Sequence, residues 1–183
     1  MPNAEEEIQD ESIGKDIHFT YKEHMEKDTL CQGDILEKTD DLIAILKEVH
    51  PYFLNEAYKY FMVLSQSCDL VRRNGKTCKT PYITLAAVRE YSDFLERTLV
   101  SNKMAENYNG IFLVEERAKA RVTQLVERVY NNTEPDFFFL YKEDALNFPK
   151  SMVVYLKVSI ALKSELHYDV CLNAKRLELS DEF

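Results

Sequence analysis

The sequence predicts an α+β fold: a bent antiparallel sheet or partial barrel covered by two or three helices. Three observations carry this. Leu156, Val158, Ile160 and Leu162 alternate with Lys157, Ser159, Ala161 and Lys163, the two-residue period of a strand with one buried face. Ala118, Val122, Leu125, Val126 and Val129 share one face between Glu115 and Tyr130, as in a helix that packs by one side. Two apolar runs, Tyr60 to Ser65 and Thr80 to Ala86, lie on either side of Arg73-Asn74-Gly75-Lys76, and Asn-Gly favours the positive φ angles of a tight hairpin.

The elements follow in order. Residues 1–16 are acidic and lack apolar periodicity, so they read as a flexible arm, with one domain over 17–183. Ile17 to Tyr21 is a short strand or docking segment, and Gln32-Gly33-Asp34-Ile35-Leu36 a turn feeding a strand. Thr39 or Asp40 caps a helix carrying Leu42, Ile45, Leu46 and Val49, which His50-Pro51 stops. Pro51 to Tyr58 is a further helical turn. Tyr60 to Ser65 is a core strand, and the hairpin joins Cys68–Arg72 to the strand Thr80–Ala86, with Pro81 at its start.

Residues 89–109 are ambiguous. Tyr91, Phe94, Leu95 and Leu99 suggest a helix, whereas Asn102, Asn107, Asn109 and Gly110 suggest a loop. The 115–131 helix ends at Asn131-Asn132, with Pro135 beyond. Asp136–Tyr141, Met152–Lys163 and Tyr168–Leu172 read as strands. Ser180, with acids after it, has the pattern of a helix N-cap, which suggests that a C-terminal helix is missing from this sequence.

Composition narrows the function classes. The chain of 183 residues is 45% hydrophobic and 30% charged, the profile of a soluble globular protein. No run reaches the roughly 18–20 apolar residues of a membrane span, and the acidic N-terminus lacks the pattern of a secretory signal. A cytoplasmic location with reduced thiols is expected for the four cysteines, Cys31, Cys68, Cys78 and Cys171, which include no CxxC pair. The net charge of −9 disfavours RNA or DNA. The basic groups Arg72, Arg73, Lys76, Lys79 and Arg117, Lys119, Arg121, Arg128 read as solvated faces. Phosphate-binding loops, HExxH and GxSxG are absent, and neither cofactor nor metal is expected.

Candidate chemistry centres on Phe61-Met-Val-Leu-Ser-Gln-Ser-Cys-Asp-Leu70, an apolar run ending in small and polar groups. Cys68 is a candidate nucleophile if a base such as His167 approaches it; otherwise it packs inward while Asp69 caps a turn. Asp34 and Asp69 both fall at expected strand ends, where two carboxylates could share acid–base work or hold a metal; otherwise they cap turns. Eleven Tyr and ten Phe supply core packing and, as a second reading, a partner surface.

Gly33-Asp34-Ile35, Met62-Val63-Leu64-Ser65 and Tyr82-Ile83-Thr84-Leu85-Ala86-Ala87 resemble the strand order of the PemK/MazF-type toxin ribonucleases. That resemblance covers about a third of the chain and implies an SH3-like barrel and metal-independent RNA cleavage, with Thr84 and Arg73 as the residues to test. The family's Arg-Pro before the second strand is replaced here by Tyr60-Phe61. The longer pattern GDI…VLSQSCDL…ITLAAV is similar to uncharacterised bacterial proteins of mobile-element or defence neighbourhoods, which implies a prokaryotic origin. The expected function is a non-enzymatic accessory or interaction module that binds another protein or a second copy of itself. The alternatives are the toxin-type ribonuclease and a thiol enzyme using Cys68.

Overall fold

The computed structural model describes residues 20–72 and 77–180. The chain is α+β. Six strands form one antiparallel sheet and two form a separate hairpin. The expected arm, Ile17 to Phe19, the Arg73–Lys76 turn and the residues after Ser180 lie outside the described residues.

Strand β1 (Ile35–Glu37) leads into helix α1 (Asp40–Val49), where Thr39 Oγ1 accepts the Leu42 N–H at 3.4 Å. Leu42 and Leu46 are buried on its inner face, and Pro51 opens a 3₁₀ turn (Pro51–Leu54). Strand β2 (Tyr60–Val63) is followed by a single helical turn, α2 (Ser67–Leu70), where the sequence suggested a turn leading into the hairpin. The Asp69 and Leu70 N–H groups donate back to the Gln66 carbonyl, and Leu70 is fully buried. That anchor pulls the chain inward immediately after β2.

Strand β3 (Tyr82–Glu90) runs into α3 (Tyr91–Leu95) and a π-helical turn (Glu96–Val100). The hairpin β4 (Ala105–Tyr108) and β5 (Ile111–Val114) replaces the expected loop. Its turn is Asn109-Gly110, with φ of 51° and 89°, the Asn-Gly geometry that the 73–76 segment had suggested elsewhere. Helix α4 (Lys119–Tyr130), β6 (Phe137–Leu140) and β7 (Met152–Lys163) follow as expected. Ser164–Asn173 is helix α5, not a strand, because Tyr168 and Cys171 three residues apart bury one helical face. Strand β8 (Lys175–Leu177) completes the sheet.

The sheet order is β6-β7-β3-β2-β1-β8. Its bend has a local cause. Ala86 pairs with Ser159 while Ala87 pairs with Tyr155, so Leu156, Lys157 and Val158 bulge out of β7 and increase its twist. The bulge is tied to the start of β6: the Leu156 N–H donates to the Asp136 carbonyl at 3.0 Å, and Lys157 pairs with Asp136. On the concave face, Ile35, Met62, Ala86, Val88 and Val154 form a core with Leu140 from one end of the sheet and Leu177 from the other. The convex face carries α1 and α5 over one half and α3 and α4 over the other. The barrel is not closed. Thr20–Lys22 pairs with Glu178–Ser180, and the buried Tyr21 hydroxyl donates to the Tyr141 carbonyl, just past β6, at 2.6 Å.

Candidate functional site

The two sequence patterns that drew attention, Gly-Asp-Ile and Ser-Gln-Ser-Cys-Asp, meet at one end of the sheet. The Gly33 N–H donates to the Val63 carbonyl at 2.9 Å, and the Gln32 N–H donates to Ser67 Oγ at 2.9 Å. Gly33 has φ +89°, and a Cβ there would meet Leu179 Cδ1 at 3.0 Å. The backbone angle favours glycine, and any Cβ would also push Leu179 aside by a few tenths of an ångström. Ser65 Oγ accepts the Thr84 N–H at 2.9 Å, locking the end of β2 onto β3.

Asp34 is completely buried. Its Oδ2 accepts the Cys31 N–H at 2.7 Å and lies 3.0 Å from Lys175 Nζ, whereas its Oδ1 has no partner among the described residues. Lys175 directs its three N–H donors at Asp34, Glu178 Oε2 (2.8 Å) and the Thr29 carbonyl (3.1 Å). Glu178 also accepts from Lys22 at 2.8 Å and from the Glu26 N–H at 3.0 Å. Burial pushes the Asp34 carboxyl up to about 6, against the opposing pull of the Cys31 N–H and Lys175. Burial also opposes the charged forms of Glu178 and Lys175, but their mutual bond and remaining partners outweigh it. Glu178 is held below its ordinary value and Lys175 above. This network binds the turn before β1 to the chain around β8, and its charges face one another.

The candidate residues divide. Asp34 and Asp69 are not brought together: Asp34 pairs with Lys175, and Asp69 with Lys79 at 2.6 Å. Cys68, expected to pack inward if not catalytic, is exposed because α2 turns Leu70 inward instead. The polar neighbours of its Sγ are Gln66 Oε1 at 3.8 Å and Asp69 Oδ1 at 3.9 Å. His167 lies on α5, lining a cavity with His50 and Val49 of the α1 region, and is not among the partners of Cys68. Thr84 is half-buried in β3 beside Ser65, and Arg73 lies outside the described residues. No group of three or more His, Cys, Asp or Glu suited to a metal occurs among the described residues. No helix among them is long and apolar enough to cross a membrane.

The basic groups are largely engaged. Arg72 lies 3.8 Å from the centre of the Tyr168 ring and pairs with Asp169 at 2.6 Å. Arg117 pairs with Glu115, and Arg128 with Glu134. A cavity of about 730 Å³ opens beside the Gly33 turn, lined by Met62, Leu64, Phe138, Leu156 and Leu179, with the paired Lys22 and Glu178 at its rim. A second, of about 780 Å³, lies at the opposite strand ends. Its Lys38 ammonium donates to the Leu54, Asn55 and Tyr58 carbonyls and so acts as a helix-end cap.

The surface feature that stands apart is the β4–β5 hairpin. Ala105, Phe112 and Val114 pack against Leu99, Ala118 and Val122. The opposite face presents Tyr108, Ile111 and Leu113 at 55%, 66% and 56% exposure. Tyr108 and Ile111 are cross-strand partners, and Leu113 follows Ile111 on the same face, so the three form a contiguous patch. The Asn109-Gly110 turn was present in the sequence as a hairpin signal, and the alternation Ile111, Phe112, Leu113, Val114 hid which side faced water because every residue is apolar. No protein-family profile matches the chain, and no curated protein or solved structure matches it.

Proposed function

We propose that this chain is a non-enzymatic interaction module of a prokaryotic cytoplasmic assembly and that the β4–β5 hairpin is its docking element. The observation that carries this reading is the contiguous exposed patch of Tyr108, Ile111 and Leu113 on a hairpin whose other face is packed. Single exposed apolar residues are ordinary, but a joined set on a projecting element marks an interaction surface. Aromatic abundance alone would not support the reading. Phe94, Tyr91, Phe137, Phe139 and Tyr155 pack between α3, α4 and the β6–β7 edge, where they form ring contacts such as Phe94–Phe137 at 4.9 Å. The reading is also supported by the site end of the sheet, where the carboxylates of Asp34 and Asp69 are each engaged by a lysine.

A photo-crosslinking amino acid placed at Ile111 and activated in the source cells tests this. Position 111 should yield a discrete crosslinked protein, whether another chain or a second copy, while Glu48, exposed on α1, should not. Equal, diffuse labelling from both positions would overturn the proposal.

A further inference from the structure

The backbone at the rim of the hairpin identifies what it can pair with. Tyr108 and Ile111 flank the two-residue turn and therefore form a hydrogen-bonded pair. The Glu115 N–H donating to the Met104 carbonyl at 3.1 Å shows the same alternation four pairs on. Ile111, Leu113 and Glu115 thus spend their backbone groups on β4, and the N–H and C=O of Phe112 and Val114 point outward. Among the described residues nothing bonds to them.

The edges of the main sheet are different. On β6 the Asn132 side chain accepts the Phe139 N–H at 2.5 Å and donates to its carbonyl at 3.3 Å. Beyond β8 the chain is covered by Thr20–Lys22. Edges so covered are closed to strand addition, whereas β5 is open.

We propose that β5 pairs antiparallel with β5 of a second copy of this chain, with Leu113 on the two-fold axis. This rests on the docking reading above and names the partner. In this register Phe112 of each copy lies opposite Val114 of the other, and the outward N–H and C=O groups of all four residues are matched. Leu113 faces Leu113 across a non-hydrogen-bonded pair, in which side chains approach most closely.

Charge selects the same place. Each copy carries a net −9, so two copies can meet closely only where the facing residues are uncharged, and Ile-Phe-Leu-Val of β5 provides that. The nearest acid on the exposed face of β4, Glu106, is the partner of Leu113. In the resulting order β4-β5-β5-β4 the two Glu106 residues lie three strand spacings apart, roughly 14 Å, beyond the Debye length at physiological salt. An edge pairing limited to the short strand β5 supports a weak, reversible dimer.

The test uses the full chain with Cys31→Ser and Cys68→Ser, because Cys68 is exposed and Cys31 partly so. Leu113→Cys should form a disulfide-linked dimer on mild oxidation, and Glu106→Cys should not. Light scattering on the unmodified chain should show mass rising with concentration, and Leu113→Lys should weaken association at least about tenfold. Leu113 is exposed, so both substitutions leave the fold intact, which far-UV circular dichroism confirms. A monomer at all concentrations, or Glu106→Cys crosslinking as fast as Leu113→Cys, would overturn self-pairing. If Ile111 then crosslinks a different protein in cells, the docking function stands and only the second copy is wrong. If it crosslinks nothing discrete, both fall.

Discussion

Asp34 shows how a residue that reads as chemistry in a sequence can also tie the fold together, here by pairing with Lys175 across the sheet end. A carboxylate after a glycine at a strand end has the pattern of a site acid, and nothing local in the sequence reveals Lys175, far along the chain. Its contribution to stability has a definite sign. Its carboxyl is raised from 3.8 to about 6, chiefly by burial, so the folded protein holds that proton more tightly than the unfolded chain. The stability it contributes is greatest below about pH 4 and declines as pH rises to about 6. Glu178, held low by Lys175 and Lys22, has the opposite slope, and its contribution is lost on acidification. Asp34→Asn keeps the acceptor for the Cys31 N–H and removes the titration. Between pH 4 and 7 the stability of the natural chain should fall relative to that of the variant by about 2–3 kcal/mol. Urea unfolding of both proteins across that range measures the difference, and parallel curves would contradict it.

At the scale of elements, the legible parts were those with a clean period or a chemical stop. The α1 stripe with its Thr39 cap and Pro51 stop and the α4 stripe appear where expected; in β7 the alternation holds for Val158, Ile160 and Leu162, whereas the bulge turns Leu156 to the opposite face. The misread parts lacked such marks. Tyr168 to Leu172 is short and mixed, and only its packing against β7 and α1 shows that it is a helix. The edge device on β6 was also hidden, because Asn131-Asn132 reads as a helix stop. It is a stop, with Asn132 at φ 52°, but the same side chain bonds both backbone groups of Phe139. Asn132→Gly preserves the left-handed backbone and removes both bonds, so it should cost about 1–2 kcal/mol. Asn132→Ala adds the strain of that backbone and should cost roughly 1 kcal/mol more. Thermal or urea unfolding separates the two, and equal losses would show that the backbone angle is not held in place.

At the scale of the molecule, the unequal packing of the two sheets predicts unequal opening. Strand β3 is paired on both sides, by β2 and β7, and Leu85, Ala86, Ala87 and Val88 are fully buried. Exposing its amides requires unfolding the cores on both faces, so they should exchange at the rate set by global unfolding. The β4–β5 hairpin rests on a small cluster around Leu99, Ala105 and Val122 and has one face in water. It can detach without disturbing the concave core, and its bonded amides, Ile111 and Leu113, should exchange faster than those of β3 by a factor that reflects this smaller cluster. Phe112 and Val114 make the sharper measurement. Their N–H groups face outward and should be unprotected in dilute protein. If two copies pair along β5, these two amides alone in the hairpin gain protection as concentration rises, while β3 is unchanged. Hairpin amides as slow as those of β3 in dilute protein would show instead that the hairpin is part of the main cooperative unit. An edge held that rigidly would offer its partner a preformed strand and not one that settles on contact.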